Sequence, residues 1–258
     1  MNRVDRLFQA KPSGILSVYA TAGYPSLNDT VPLLEALQAH GADMVEVGIP
    51  FSDPLADGPV IQESSQVALR NGMNLNLLFN QLEKIRTTIR LPLILMGYFN
   101  PIFRMGVEPF LDRCLHCGID GVIIPDLPPD EYEEQYRTMF TDRNIHHILL
   151  VTPHTSEERI RKIARLSGGF LYMVADAATT GARDTIGTHQ VEYFDRIHGM
   201  KLPVPGLIGF GISNRETFET ACSHARGAII GSAFIEAIGK EGPLEMKVKQ
   251  FLELIRGG

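Results

Sequence analysis

The chain has 258 residues, of which 44% are hydrophobic, and a formal net charge of −6 from 24 basic and 30 acidic side chains. This composition is ordinary for a globular protein with a sizeable core, and because Lys and Arg form no block, nucleic acid is not an expected partner. Residues 1–6 carry charge where a signal peptide would need an apolar stretch, and no run reaches the roughly 18 apolar residues of a membrane span. We therefore expect a cytoplasmic protein that does not bind membranes.

Short apolar runs alternate with amphipathic segments along the whole chain. The runs predict strands near 15–20, 44–48, 93–96, 121–125, 148–152, 170–174, 206–209 and 228–231. Helices are predicted near 29–40, 75–90, 107–117, 130–143, 157–166, 190–198, 215–224 and 244–256. Eight such units in this length favour an α/β fold, a (β/α)8 TIM barrel that forms one domain over residues 1–258. An open doubly wound sheet is the alternative, but no dinucleotide fingerprint follows the first strand.

Cysteine and histidine spacings do not indicate metal or redox chemistry. Three cysteines are too few for a disulfide framework, and the Cys-x-x-Cys at Cys114 and Cys117 lacks a second pair of ligands. The eight histidines show no His-Glu-x-x-His spacing, and His146 and His147 precede the fifth predicted strand, at the face of the barrel that serves stability. We expect reduced thiols and no metal site.

Glu46 interrupts the apolar run of the second predicted strand. Side chains alternate along a strand, so Glu46 shares a face with Met44 and Gly48. A carboxyl group in such a strand is desolvated, and burial raises its pKa toward neutrality, which suits a group that accepts a proton and returns it. We interpret Glu46 as a general acid/base, with a structural ion pair as the alternative.

The loops that follow the strands carry the chemistry of barrel enzymes. The second loop holds Asp53 and Asp57, within a rigid stretch rich in proline. The loops after the seventh and eighth strands read Gly-Phe-Gly-Ile-Ser at 209–213 and Gly-Ser-Ala at 231–233. Their glycines let an anion approach backbone amides, and a short helix beginning at Ser232 would point its positive end at a phosphate. The two loops together predict a phosphate site, with tight turns as the alternative.

Other catalytic chemistries lack the residues they need. The seven lysines all fall in predicted helices or loops, which argues against a buried Schiff-base lysine, and the Gly-x-Ser-x-Gly elbow is missing. Acid-base chemistry by Glu46 and Asp57 on a phosphorylated substrate remains. Apolar residues at the same mouth favour a flat aromatic group, although ordinary core packing is the alternative for each of them: Tyr19, Met96, Ile124, Tyr172 and Phe210.

Five segments carry a resemblance to a known family. They are Glu-Val-Gly-Ile-Pro-Phe-Ser-Asp-Pro-Leu-Ala-Asp-Gly-Pro at 46–59, Met-Gly-Tyr-Phe-Asn-Pro-Ile at 96–102, Pro-Asp-Leu-Pro at 125–128, and the two glycine loops above. In this order, over essentially the whole chain, they resemble the α subunit of tryptophan synthase. The resemblance implies a retro-aldol cleavage of indole-3-glycerol phosphate into indole and glyceraldehyde 3-phosphate, the lyase half-reaction in the last step of tryptophan biosynthesis.

The resemblance also implies roles for residues and for a partner. Glu46 is then the general acid/base and Asp57 accepts the indole N–H, while Asp53 signals closure to the partner. The phosphate would lie on the amides of Gly181, Gly211, Gly231 and Ser232. The indole pocket would contain Tyr19, Met96, Ile124, Tyr172, Thr180 and Phe210. The implied partner is a β subunit that holds pyridoxal phosphate (PLP) and receives indole through a tunnel in an αββα assembly, so no cofactor is expected in this chain.

The sixth loop departs from the family pattern. Residues 175–181 read Ala-Asp-Ala-Ala-Thr-Thr-Gly where the family usually has a sequence close to Ser-Arg-x-Gly-Val-Thr-Gly. Asp176 replaces a basic residue and Ala178 replaces a flexible glycine, in the loop that the resemblance identifies as the lid. A misplaced lid would leave water in the site and orient Glu46 badly. The departure leaves open a regulatory subunit that activates the β subunit with little catalysis of its own. A further alternative is another phosphosugar isomerase or epimerase, but the long and specific second loop argues against it.

Overall fold

The computed structural model describes residues 1–175, 187–209 and 211–257. Within these residues the strands are β1 (Ile15–Thr21), β2 (Met44–Gly48), β3 (Leu93–Met96), β4 (Gly121–Ile123), β5 (His146–Val151), β6 (Leu171–Val174), β7 (Gly206–Gly209) and β8 (Gly227–Ile230). Neighbouring strands pair in parallel and in chain order, and β8 pairs with β1 to close the sheet. The predicted TIM barrel is therefore confirmed.

Helices follow the strands around the outside of the barrel. They are α1 (Arg3–Ala10), α2 (Thr30–Ala39), α3 (Pro59–Arg70), α4 (Leu75–Leu82), α5 (Phe99–Met105), α6 (Val107–Cys117), α7 (Pro129–Glu131), α8 (Arg137–Asp142), α9 (Glu157–Leu166), α10 (Thr188–Gly199), α11 (Arg215–His224), α12 (Ser232–Gly239) and α13 (Leu244–Arg256). A 3-10 turn covers Ile85–Thr87 and a π-helical segment covers Tyr132–Tyr136. None of the helices in the described part of the chain is long and apolar enough to cross a membrane.

Strands β1, β2 and β3 are buried on both faces, which explains why they appear in the sequence as apolar runs. Every residue of β1, β2 and β3 is buried, as expected for strands covered on one side by the barrel interior and on the other by helices. The register places Tyr19 opposite Glu46, and Met96 opposite Ile123. Glu46 is level with Ile94, so Met96 lies two residues further along β3, on the same face and nearer the C-terminal end of the barrel.

Three element predictions were wrong in detail. The helix predicted over 75–90 ends at Leu82, and Arg86, in the 3-10 turn that follows, donates to Leu91 O at 2.6 Å and to Asp120 Oδ2 at 2.7 Å. The fourth strand ends at Ile123 rather than at residue 125. His146 and His147 lie inside β5 rather than before it.

The N-terminal end of the barrel is closed by a buried ionic network around Asp120. Its carboxylate accepts hydrogen bonds from Arg86 and from Arg3, at 2.7 Å and 3.0 Å, and from Leu93 N at 3.0 Å. Burial lowers the pKa of His147, on the same side, to about 3, so this imidazole is neutral. Both groups serve the packing of this end, which leaves the chemistry to the opposite end.

Candidate active site

Glu46 lies in the middle of β2 and its side chain is fully buried. Ser17 Oγ on β1 donates a hydrogen bond of 2.9 Å to Glu46 Oε1. Within the described residues, Oε2 has no hydrogen-bond partner. Burial raises the pKa of Glu46 to about 8, and the Ser17 hydrogen bond acts in the opposite direction. No ion pair therefore explains this carboxyl group among the residues described, and it is neutral at pH 7.

Asp57 lies in the loop that joins β2 to α3, and 8% of its surface is exposed. The loop is folded tightly, since Asp57 N donates to Pro54 O at 3.0 Å and Gln62 Nε2 donates to Asp57 O at 2.9 Å. Burial raises the pKa of Asp57 to about 6, and a hydrogen bond from Tyr98 opposes that rise. Asp57 is thus mostly ionised at pH 7 while Glu46 is not.

Tyr98 was not singled out from the sequence, but it contacts Asp57 directly. Its hydroxyl donates to Asp57 Oδ2 at 3.1 Å and accepts from Ala56 N at 2.9 Å. Its ring stacks on Phe51, with centroids 5.1 Å apart. Tyr98 is the residue before α5, so it joins the loop after β3 to the loop after β2.

Tyr19 and Tyr172 extend over the same end of the barrel as the two carboxyl groups. The Tyr19 ring passes close above Gly48, where a Cβ atom would lie 2.0 Å from the tyrosine Oη. Tyr172 lies similarly over Gly209, where the corresponding separation would be 2.4 Å. Burial and the charges of Glu46 and Asp57 raise the pKa of both tyrosines well above the ordinary range, so both stay neutral. The two carboxyl groups therefore lie near enough to both tyrosines to act on them electrostatically.

Two further predicted pocket residues are buried at the C-terminal ends of β3 and β4. Met96 ends β3 and pairs in register with Ile123. Ile124 follows β4 by one residue and is also buried. Ile123, on the same face as Met96, is a pocket candidate that was not picked from the sequence, because the end of a three-residue strand cannot be read from its pattern.

The predicted phosphate site has its two described glycines at loop positions that suit close approach. Gly211 has φ +75°, a left-handed conformation that favours glycine. Gly231 precedes α12, which begins at Ser232, and no side chain among the described residues caps that helix. The first-turn amides of α12 therefore remain for a ligand, and no acidic residue lies in that turn.

Asp53 is exposed at the tip of the second loop, where it accepts a hydrogen bond from Ser52 Oγ. The predicted site residues Asp176, Ala178, Thr180, Gly181 and Phe210 lie outside the described residues. Among the residues described, no group of three or more His, Cys, Asp or Glu side chains is placed to hold a metal ion.

Comparison with known proteins decides the family. The family model of the tryptophan synthase alpha chain matches residues 7–256. This chain belongs to that family. The tryptophan synthase alpha chain of Parabacteroides distasonis is 54% identical over 256 residues, covering 99% of this chain and all of the relative. That of Flavobacterium johnsoniae is 50% identical with the same coverage.

Solved structures of the family have the same fold. The tryptophan synthase subunit alpha of Legionella pneumophila superposes with a TM-score of 0.88 at 32% identity, covering 100% of this chain and 99% of that one. A chain of the tryptophan synthase complex of Pyrococcus furiosus superposes with a TM-score of 0.85 at 33% identity, covering 95% and 98%. The resemblance inferred from the five segments is therefore confirmed.

Proposed function

We propose that Glu46 and Asp57 carry out the retro-aldol cleavage of indole-3-glycerol phosphate that is the role of this family. The observation that supports this assignment is the pair of buried carboxyl groups at the C-terminal end of the barrel, whose pKa values are raised to about 8 and about 6. Two carboxyl groups with separated pKa values supply one acid and one anion at the same pH. Glu46 is the acid and Asp57 is the anion.

The reaction needs one proton to move in and out of Glu46. The neutral Glu46 carboxyl protonates C3 of the indole ring, and positive charge develops on the ring nitrogen, whose N–H donates to the ionised Asp57. The Glu46 carboxylate then takes the proton of the hydroxyl group on the adjacent glycerol carbon. The C–C bond breaks, its electron pair restores the indole ring, and the glycerol carbon becomes the aldehyde of glyceraldehyde 3-phosphate. Glu46 ends protonated, ready for the next turnover.

A pH profile tests the assignment. We expect kcat/KM for indole release to follow a bell, with an acidic limb near pH 6 where Asp57 becomes neutral and an alkaline limb near pH 8 where Glu46 becomes ionised. The substrate phosphate also ionises at about pH 6, so the acidic limb must be compared with the profile of an Asp57 variant. A rate that rises steadily from pH 7 to pH 9 would contradict the role of Glu46 as an acid.

The phosphate is proposed to bind the backbone at Gly211, Gly231 and Ser232. Gly231→Asp should raise KM at least about tenfold, because it puts a negative charge beside an anion at a helix N-terminus. Gly231→Ala is the matched control, since its Cβ atom would lie 3.6 Å from Tyr19 Cβ, an ordinary contact, and adds no charge. KM measured at several ionic strengths separates the charge effect from bulk. Equal KM values for the two variants would place the phosphate elsewhere.

The α chain of this family has no cofactor of its own, and PLP belongs to the β subunit. We propose that this chain delivers indole to such a subunit in an αββα assembly, with Asp53 signalling closure from its exposed position. We also propose that residues 1–258 act as one domain in the cytoplasm. The closed barrel supports a single domain. The free thiols of Cys114, Cys117 and Cys222 support a cytoplasmic location.

The sequence of residues 175–181 favours a second candidate function. Asp176 and Ala178 depart from the family pattern, which fits an α chain that mainly activates the β subunit and cleaves its substrate slowly. Indole release measured with and without the β subunit separates the two candidates. Slow cleavage in both cases, together with faster conversion of indole and serine to tryptophan by the β subunit, would favour the activator. We expect Asp176→Arg with Ala178→Gly to raise the cleavage rate in that case.

A further inference from the structure

We propose that Ser17 and Tyr98 are positioning residues, each of which holds one oxygen of a catalytic carboxyl group and thereby fixes which oxygen of that group faces the substrate. This inference rests on the proposed roles of Glu46 and Asp57. It adds two hydroxyl groups to the site, one from β1 and one from the loop after β3.

Ser17 controls Glu46 through a single buried hydrogen bond. The Ser17 side chain is fully buried, and its hydroxyl lies 2.9 Å from Glu46 Oε1. Because Oε1 accepts this bond and Oε2 has no partner in the described part of the chain, the proton of the neutral carboxyl belongs on Oε2. Oε2 is then the atom that exchanges a proton with the substrate.

The hydroxyl group of Tyr98 donates its proton to Asp57, and a second hydrogen bond fixes that direction. Ala56 N can only donate, and it points at the Tyr98 oxygen from 2.9 Å. The Tyr98 hydroxyl proton is therefore directed to Asp57 Oδ2, 3.1 Å away. Stacking on Phe51 holds the ring in this position. A donor aimed at a carboxylate favours its charged form, and the other oxygen, Oδ1, remains for the indole N–H.

Few other groups in the described part of the chain set the charge of these carboxyl groups. Tyr19 on β1 and Tyr172 on β6 face both of them, and each tyrosine is neutral because burial raises its pKa above the ordinary range. Asp126, in the loop after β4, lies near Tyr98 and disfavours the loss of its proton. Burial raises the pKa of each carboxyl group, and one hydroxyl group mainly opposes that rise. This hydroxyl belongs to Ser17 for Glu46 and to Tyr98 for Asp57.

The two hydroxyl groups act on opposite limbs of the pH profile, which gives a specific test. Ser17→Ala should move the alkaline limb of kcat/KM to higher pH, and Tyr98→Phe should move the acidic limb to higher pH. Each shift should be about one pH unit, as expected for one lost hydrogen bond to a charged group. The other limb should stay in place in each variant. The ionisation of the substrate phosphate is common to all variants, so differences between them report the protein.

Two matched variants keep the test specific. Tyr136→Phe removes a hydroxyl from a neighbouring ring that packs on Phe99, with centroids 5.5 Å apart, and should leave both limbs unchanged. Ser17→Thr keeps the hydroxyl and should keep the wild-type alkaline limb. Should Ser17→Ala be too slow to assay, the pH at which the buried carboxyl C=O infrared band disappears reports the same ionisation without turnover.

The outcomes separate this inference from the proposed function. If Glu46→Gln and Asp57→Asn lose most of their activity while Ser17→Ala and Tyr98→Phe keep wild-type limbs, the positioning roles are wrong and the catalytic roles stand. If Asp57→Asn keeps the wild-type rate, the catalytic assignment itself fails. If only the alkaline limb moves in Ser17→Ala and only the acidic limb moves in Tyr98→Phe, both the catalytic roles and the positioning roles are supported. A purely structural role for either hydroxyl would lower the rate at all pH values alike, which would overturn the inference.

Discussion

Glu46→Gln should abolish indole formation, with a loss of at least about 1,000-fold in kcat, because the amide keeps the shape of the side chain but cannot carry a proton. Binding should change little, since the phosphate and the indole ring make their contacts elsewhere. KM for indole-3-glycerol phosphate and affinity for the β subunit are therefore expected to stay within a few-fold of wild type. The split between kcat and KM distinguishes loss of chemistry from loss of fold.

The measurement is indole release under single-turnover conditions, with purified variant and excess β subunit. Glu63→Gln is the matched control, because it makes the same substitution on α3 at a side chain that is 73% exposed. It should keep full activity. Substantial residual cleavage by Glu46→Gln would show that another group transfers the proton.

Glu46→Gln should also stabilise the fold at alkaline pH. The pKa of Glu46 is about 8 in the folded chain against an ordinary value of 4.5. Between these values the unfolded chain is ionised and the folded chain is not, so wild type loses stability as pH rises from about 4.5 to about 8. The amide introduced by Glu46→Gln does not titrate, and the variant should gain on the order of 4 kcal/mol in free energy of unfolding relative to wild type at about pH 8.5. Urea unfolding at about pH 5 should show little difference.

The sequence reveals those catalytic features that break a local pattern. Glu46 was found because a charge stands in a β-rich apolar run, and Gly211 and Gly231 because glycines recur at the ends of predicted strands. These signals are local in the sequence and do not depend on contacts between distant residues. Helices α6, α9, α11 and α13 were predicted at their observed bounds for the same reason, since each has a regular apolar stripe and clear ends.

Features that depend on distant contacts were missed. Ser17 is an ordinary serine in a strand until the register between β1 and β2 places it beside Glu46, 29 residues away. Tyr98 is an ordinary tyrosine until the second loop folds back to it over 41 residues. Arg86, in the turn that follows the end of α4 at Leu82, likewise contacts the distant residues Gly118 and Asp120. By contrast, α3 could have been predicted, because Pro59 at its first position is a local start signal.

The second carboxylate provides an electrostatic test of the transition state. Asp57→Asn should lower kcat by at least about 100-fold, equivalent to about 3 kcal/mol, because the neutral amide no longer stabilises the positive charge on the indole nitrogen. The amide oxygen can still accept the hydroxyl of Tyr98, so the loop should keep its shape. The loss should therefore fall on kcat, with KM nearly unchanged.

The pH profile of Asp57→Asn makes this prediction stricter than a loss of rate alone. Because Asn does not titrate, the part of the acidic limb near pH 6 that belongs to Asp57 should vanish, leaving only the ionisation of the substrate phosphate. The alkaline limb near pH 8 should remain, since Glu46 is unchanged. Asp112→Asn, a change at a carboxylate that is 62% exposed on α6, serves as the matched control and should behave as wild type. A loss below about tenfold would mean that Asp57 shapes the second loop and does not stabilise charge.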